Sequence, residues 1–60
     1  MVGISVDPHV AFGKPVIEGT RVRVEDVLEA LARGLSAQDV CEEYDLSAEQ
    51  VKNALLYASN

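Results

Sequence analysis

The stretch SAQDVCEEYDLSAEQV, residues 36–51, contains two helix starts and the turn between them. Ser36 stands three residues before Asp39, and Ser47 three before Gln50. A serine hydroxyl that accepts from the backbone N–H three residues on, answered by that residue's own side chain, satisfies two donors that a helix otherwise leaves open. Gln50 fits this capping-box pattern fully, and Asp39 fits it with a shorter arm. The spacing predicts one helix from Ser36 through Tyr44, a tight turn at Asp45-Leu46, and a further helix launched at Ser47. Val40, Cys41 and Tyr44 are the inward candidates of the first. Val51, Ala54, Leu55 and Ala58 share a face of the second.

Working back toward the N-terminus, Val24, Val27, Leu28, Leu31 and Leu35 form another stripe with a period near 3.6, and Arg33-Gly34 supplies a cationic last turn and a glycine stop. Ahead of that stripe the period is two. Arg21-Val22-Arg23-Val24 alternates, as does Ile4-Ser5-Val6 with Val2 before it, so a two-stranded ribbon pairing residues 2–6 with residues 21–24 is expected, within one chain or between two copies. Residues 9–20, punctuated by Gly13, Pro15 and Gly19, read as a loop. Positive φ at the two glycines and an extended path at Pro15 would let Val16 or Ile17 dip into the core. The fold class that follows is mainly α with a short N-terminal β-ribbon and three helices. Residues 1–60 form a single domain, with strand, loop and strand over 1–24, helices over 25–60, and a helix-turn-helix over about 36–59.

Composition narrows the function classes. A 60-residue chain buries only about 60% of the surface its unfolded form exposes, so an external staple is expected. One cysteine, Cys41, makes no intrachain disulfide, and with His9 as the lone histidine a four-ligand zinc site is out of reach. Self-association is the remaining staple, and a homodimer is expected. No metal or cofactor is called for. No signal-like opening or long apolar run occurs, which gives a cytoplasmic expectation with no membrane contact. The net charge is −5, unevenly spread: residues 1–35 carry four cations against five acids, and residues 36–60 carry Lys52 alone against five. That acidic second half opposes unaided binding to a phosphate backbone.

Catalytic constellations are missing from the pattern, so the chain reads as a binding module and not as an enzyme. His9 has no serine, cysteine or second histidine at triad-like spacing, and Glu42-Glu43 are adjacent on a helix and do not face each other. The glycines of the loop lack the Gly-Lys-Ser/Thr ending of a phosphate loop. Binding candidates are clearer. Strand alternation puts Arg21 and Arg23 on one face, where they can meet phosphates or an acidic protein pocket; their bland alternative is a surface pairing with Glu18, Glu25 or Asp26, worth about 0–1 kcal/mol. In a helix-turn-helix, Gln50 and Asn53 could read base edges and Lys52 could touch phosphate, whereas ordinary helix packing explains the apolar positions equally well. Leu56 and Tyr57 widen the last helix's apolar face beyond one small core, which suggests a dimer or partner contact.

The string GKPVIEGTRV, residues 13–22, resembles the GKPxIxGTR signature of the DUF433 family. The similarity continues through Gly34-Leu35-Ser36, residues 40–44, and Ser47 to Ala58. The resemblance implies a homeodomain-like helix-turn-helix behind a short strand-containing piece, usually dimeric, in antitoxins often paired with PIN-like ribonuclease toxins that can also repress their own operons. On that reading Gly13, Pro15 and Gly19 are scaffold, and Lys14, Thr20, Arg21 and Arg23 are the candidate toxin-binding or nucleic-acid-binding positions. A small ribonuclease toxin becomes the expected partner, with operator DNA a second. A stand-alone DNA-binding regulator, or an adaptor dimer with no nucleic-acid role, are the alternatives. This chain departs from the family pattern after Tyr44, where Asp45 replaces a common proline, and relatives often continue beyond the last helix; a tail contact made there would here either be lacking or be replaced by the last helix.

Overall fold

The computed structural model describes residues 2–59. Its elements are β1 (Ile4–Ser5), a 3₁₀ turn (Ala11–Gly13), β2 (Val16–Ile17), α1 (Val24–Ala32), α2 (Ala37–Tyr44) and α3 (Ala48–Ser59). Three helices and a two-stranded antiparallel sheet at the N-terminal end agree with the fold class read from the sequence.

The sheet corrects the expected pairing. β1 pairs with Val16–Ile17, in the register Ile4↔Ile17 and Ser5↔Val16, and not with residues 21–24. Those residues instead return alongside β2: Ile17 N–H donates to the Val22 carbonyl, Val24 N–H donates to the Pro15 carbonyl, and Arg23 bridges Val16 before the chain turns into α1. The reason is packing. Val16 and Ile17 are both buried, at 3% and 1% exposure, so the consecutive apolar pair lies between β1 and the returning chain, and contiguous burial shows no alternation. Val24 is meanwhile taken into the first turn of α1, which cuts the alternating run short.

Turn chemistry holds the elements where the sequence put them. Both serine caps form their full reciprocal boxes: Asp39 N–H donates to Ser36 Oγ at 3.1 Å and Ser36 N–H to Asp39 Oδ2 at 3.0 Å, while Gln50 N–H donates to Ser47 Oγ at 3.1 Å and Ser47 N–H to Gln50 Oε1 at 2.8 Å. α1 ends in a Schellman motif, with Gly34 at φ +102°, Gly34 N–H donating to the Leu31 carbonyl and Leu35 N–H to the Ala30 carbonyl. α2 also ends on a left-handed residue, Asp45 at φ +56°, with Asp45 N–H and Leu46 N–H both reaching back to the Cys41 carbonyl, the latter at 2.8 Å. That turn aims Leu46 into the core and swings α3 across α1, α2 and β1.

The buried core consists of Ile4, Ile17, Val24, Val27, Ala30, Val40, Leu46, Val51 and Ala54, with no aromatic ring among them. Fully burying an aliphatic side chain such as Ile17 contributes about 1.5–3 kcal/mol. Leu28, Leu31, Leu35, Cys41, Tyr44 and Tyr57 pack around this centre half-buried. Two differences from the apolar stripes read earlier stand out. Ala30 is fully buried where α1 meets its neighbours, and Leu55 and Ala58 are exposed because the inward face of α3 runs through Val51, Ala54 and Tyr57.

Candidate partner-binding site

The signature loop, the first turns of α1 and the end of α3 converge on one face. Lys14, Pro15, Val24, Glu25, Leu28, Tyr57 and Ala58 line a shallow cleft of about 450 Å³ there. Its floor is apolar and its rim carries both signs of charge, since Lys14 Nζ meets Glu25 Oε1 at 3.0 Å. The lining joins Lys14 from the loop to Tyr57 from the last helix, two residues singled out separately in the sequence. Leu56, 48% exposed, does not line it.

The two arginines have different fates. Arg23 precedes α1, and its guanidinium donates from Nε and Nη2 to the two oxygens of Asp26 at 3.1 and 2.9 Å, while Nη1 lies 3.2 Å from Glu25 Oε1. Its backbone N–H donates to Asp26 Oδ2 as well, at 3.0 Å, closing the N-terminus of α1. The Asp26 hydrogen bond and charge raise the Arg23 guanidinium further above its already high value. Partial burial pushes the Asp26 carboxyl up, but the guanidinium and backbone N–H of Arg23 together outweigh it and hold Asp26 below the usual carboxylate range. Arg21 is exposed and makes no ion pair with any described residue. The basic pair inferred from strand alternation thus resolves into one committed and one available cation.

Thr20 serves the turn. Its hydroxyl donates to the Ile17 carbonyl at 2.7 Å and accepts from Val22 N–H at 3.0 Å, and with Gly19 at φ +82° it fixes the path that presents Arg21. On α3, Lys52 is exposed, Gln50 is half-buried with its side-chain carbonyl bound to Ser47 N–H, and Asn53 is half-buried against Gly3 of the strand segment. These three side chains do not form one uniform exposed set. Among the described residues no group of three or more His, Cys, Asp or Glu side chains is placed to share a metal ion, and no helix is long and apolar enough to cross a membrane.

One residue was passed over in the sequence. Phe12 is 100% exposed, in a turn where Ala11, Phe12 and Gly13 take φ values of +51°, +57° and +81°. Left-handed backbone costs an ordinary L-residue about 1–2 kcal/mol, so two such residues in succession are unusual. Hydrogen bonds from Gly13 N–H to the Val10 carbonyl and from Lys14 N–H to the Ala11 carbonyl hold the turn closed. Nothing in the hydrophobic periodicity marks this position; the only available signal was the chain's sole phenylalanine lying in a glycine-punctuated loop.

Comparison with known proteins places this architecture in a family. Residues 4–58 match the model described as "Protein of unknown function (DUF433)". A Mycobacterium tuberculosis protein named "Putative antitoxin VapB45" is 38% identical over 52 residues, covering 87% of this chain and 22% of that protein. An uncharacterized Sinorhizobium fredii protein, y4eO, is 38% identical over 56 residues, covering 92% of this chain and 25% of the other. The crystal structure of Rv2018 from Mycobacterium tuberculosis superposes with a TM-score of 0.77 at 38% identity, over 87% of this chain and 24% of that one. The chain thus spans about a quarter of the length of the relatives it matches. With the signature loop, the three helices and nearly the whole length in agreement, the chain belongs to the DUF433 family.

Proposed function

We propose that this chain is an antitoxin-like binding module that neutralises a small ribonuclease, acting without catalysis of its own in the cytoplasm. The observation that carries the reading is the 38% identity, over most of the chain, to a protein named as an antitoxin. Arg21 supports it: an exposed guanidinium with no ion-pair partner among the described residues is placed to pair bidentately with carboxylates, which fits the acidic centre of a PIN-like enzyme. Residues 36–60, with five acids against Lys52, would complement the basic RNA-binding face of such a partner and speed encounter. Lys14 and Arg23 then act from the side, ordering Glu25 and Asp26 beneath the loop. The test is inhibition of RNA cleavage by a PIN-like ribonuclease recovered in equal amount with the tagged chain. Cleavage that continues unchanged when the chain is in excess would overturn the reading.

Operator binding is the second reading, favoured by the arrangement of α2, the turn and α3 with Lys52 exposed. The acidic helices oppose it for the chain alone, so it requires a basic partner in the complex. Operator affinity that appears only with the ribonuclease present, and falls steeply with salt, is the expected signature.

A further inference from the structure

We propose that Thr20 is a positioning residue for the ribonuclease contact. Without touching the partner, its hydroxyl sets how tightly Arg21 grips, by holding the turn of residues 17–22 in one shape before the partner arrives. That role rests on the reading of Arg21 as the cation that meets the partner's carboxylates. It moves Thr20 from the contact positions, where the family resemblance put it, to the support beneath them.

Hydrogen bonding carries the assignment. A threonine hydroxyl has a single proton to donate. In Thr20 that proton goes to the Ile17 carbonyl at 2.7 Å, and the same oxygen accepts from Val22 N–H at 3.0 Å. The donor is spent inside a half-buried turn, so the hydroxyl is not what a partner would grip. The backbone adds to the clip. Thr20 N–H donates to the Ile17 carbonyl at 3.0 Å, Ile17 N–H to the Val22 carbonyl at 2.9 Å, and Glu18 N–H to the Gly3 carbonyl of the strand segment at 2.8 Å. Arg21 is flanked on both sides by residues tied to Ile17, which is 1% exposed, and Val22 packs against the same core. The exposed arm of Arg21 therefore rises from a backbone fixed on the most deeply buried part of the sheet. A turn ordered in advance leaves less to be ordered on binding. Valine has nearly the shape of threonine without the hydroxyl, so Thr20→Val cuts the clip, and the partner must then order the turn as well as the arginine. Ordering of that size weakens binding about three- to tenfold.

A double-mutant cycle on inhibition of the PIN-like ribonuclease tests this, with the wild-type chain, Thr20→Val, Arg21→Ala and the double variant titrated below the unfolding temperature of each. Thr20→Val is expected to weaken inhibition about three- to tenfold when Arg21 is present and to change it little when residue 21 is already alanine. Thr20→Ser keeps the hydroxyl and should inhibit within about twofold of wild type. Equal losses in both backgrounds, or no loss from Thr20→Val, overturn the positioning role and leave the ribonuclease reading standing. Arg21→Ala that inhibits like wild type, or a wild-type chain that inhibits no ribonuclease, removes the reading of Arg21 and Thr20's role with it. A second measurement needs no partner. Nitrogen relaxation of the free chain should give the Arg21 backbone an order parameter near about 0.85 in wild type and below about 0.6 in Thr20→Val. An Arg21 backbone equally ordered in the two chains overturns the proposal.

Discussion

Arg23 and Asp26 are joined by three hydrogen bonds, one from the arginine's backbone N–H and two from its guanidinium. The carboxylate thereby closes α1 in the manner of an N-terminal cap while fixing the arginine against the helix. Asp26→Ala opens that end and is expected to cost about 1 kcal/mol, as loss of a helix cap does. In a domain of this size that lowers Tm by about 4–8 °C, readable by circular dichroism. An unchanged Tm would assign the pair no structural role.

Acid should weaken the fold through two carboxyls. Asp26 is held below its usual range by Arg23 against the opposing effect of partial burial, and Asp39 by the backbone N–H and then the hydroxyl of Ser36. Because the unfolded chain protonates these groups at the ordinary value near 3.9, their contribution is fully present above that pH and is lost as pH falls through the lower native values. Tm should therefore respond little to these two groups between pH 7 and about pH 5 and fall below about pH 4. The double variant Asp26→Asn, Asp39→Asn should start lower at pH 7 and decline less steeply in acid.

Gly3 lies against Asn53. A β-carbon on Gly3 would come within 2.7 Å of Asn53 Nδ2, and Gly3 itself sits at φ +80°. Gly3→Ala is expected to destabilise the chain by about 1–2 kcal/mol from the backbone alone. Asn53→Ala should recover only the part due to the contact, leaving the double variant less stable than Asn53→Ala by itself. Full recovery would mean that the backbone conformation at residue 3 is unstrained for alanine.

The helices and their ends were legible because their causes are local. Ser36, Ser47 and Gly34 each act on backbone groups within five residues, and the sequence shows both partners. The glycine-rich loop was legible in part, with Gly13 and Gly19 at positive φ and both Val16 and Ile17 turned inward. Strand pairing was not, because the choice of Val16–Ile17 over residues 21–24 depends on Val24 being taken into α1, a tertiary outcome. The division of labour between Arg21 and Arg23 was hidden for a related reason. Alternation gives both the same side of a strand, but only Arg23 stands where the helix start brings Asp26 within reach. Phe12 and the half-burial of Asn53 depend on a left-handed turn and a strand crossing that no short-range pattern encodes.

In the function proposed above, Arg21, and not Arg23, is the cation that would reach the acidic centre of a ribonuclease partner. Its most direct test is inhibition of RNA cleavage by that enzyme, titrated with the wild-type chain, Arg21→Ala and Arg23→Ala, with Tm recorded for each. Arg21→Ala is expected to keep the wild-type Tm and lose inhibition by at least about tenfold, as truncating one partner of a desolvated charge pair does. Arg23→Ala should lower Tm and, below its unfolding temperature, still inhibit. Inhibition by Arg21→Ala at wild-type concentrations would contradict the account.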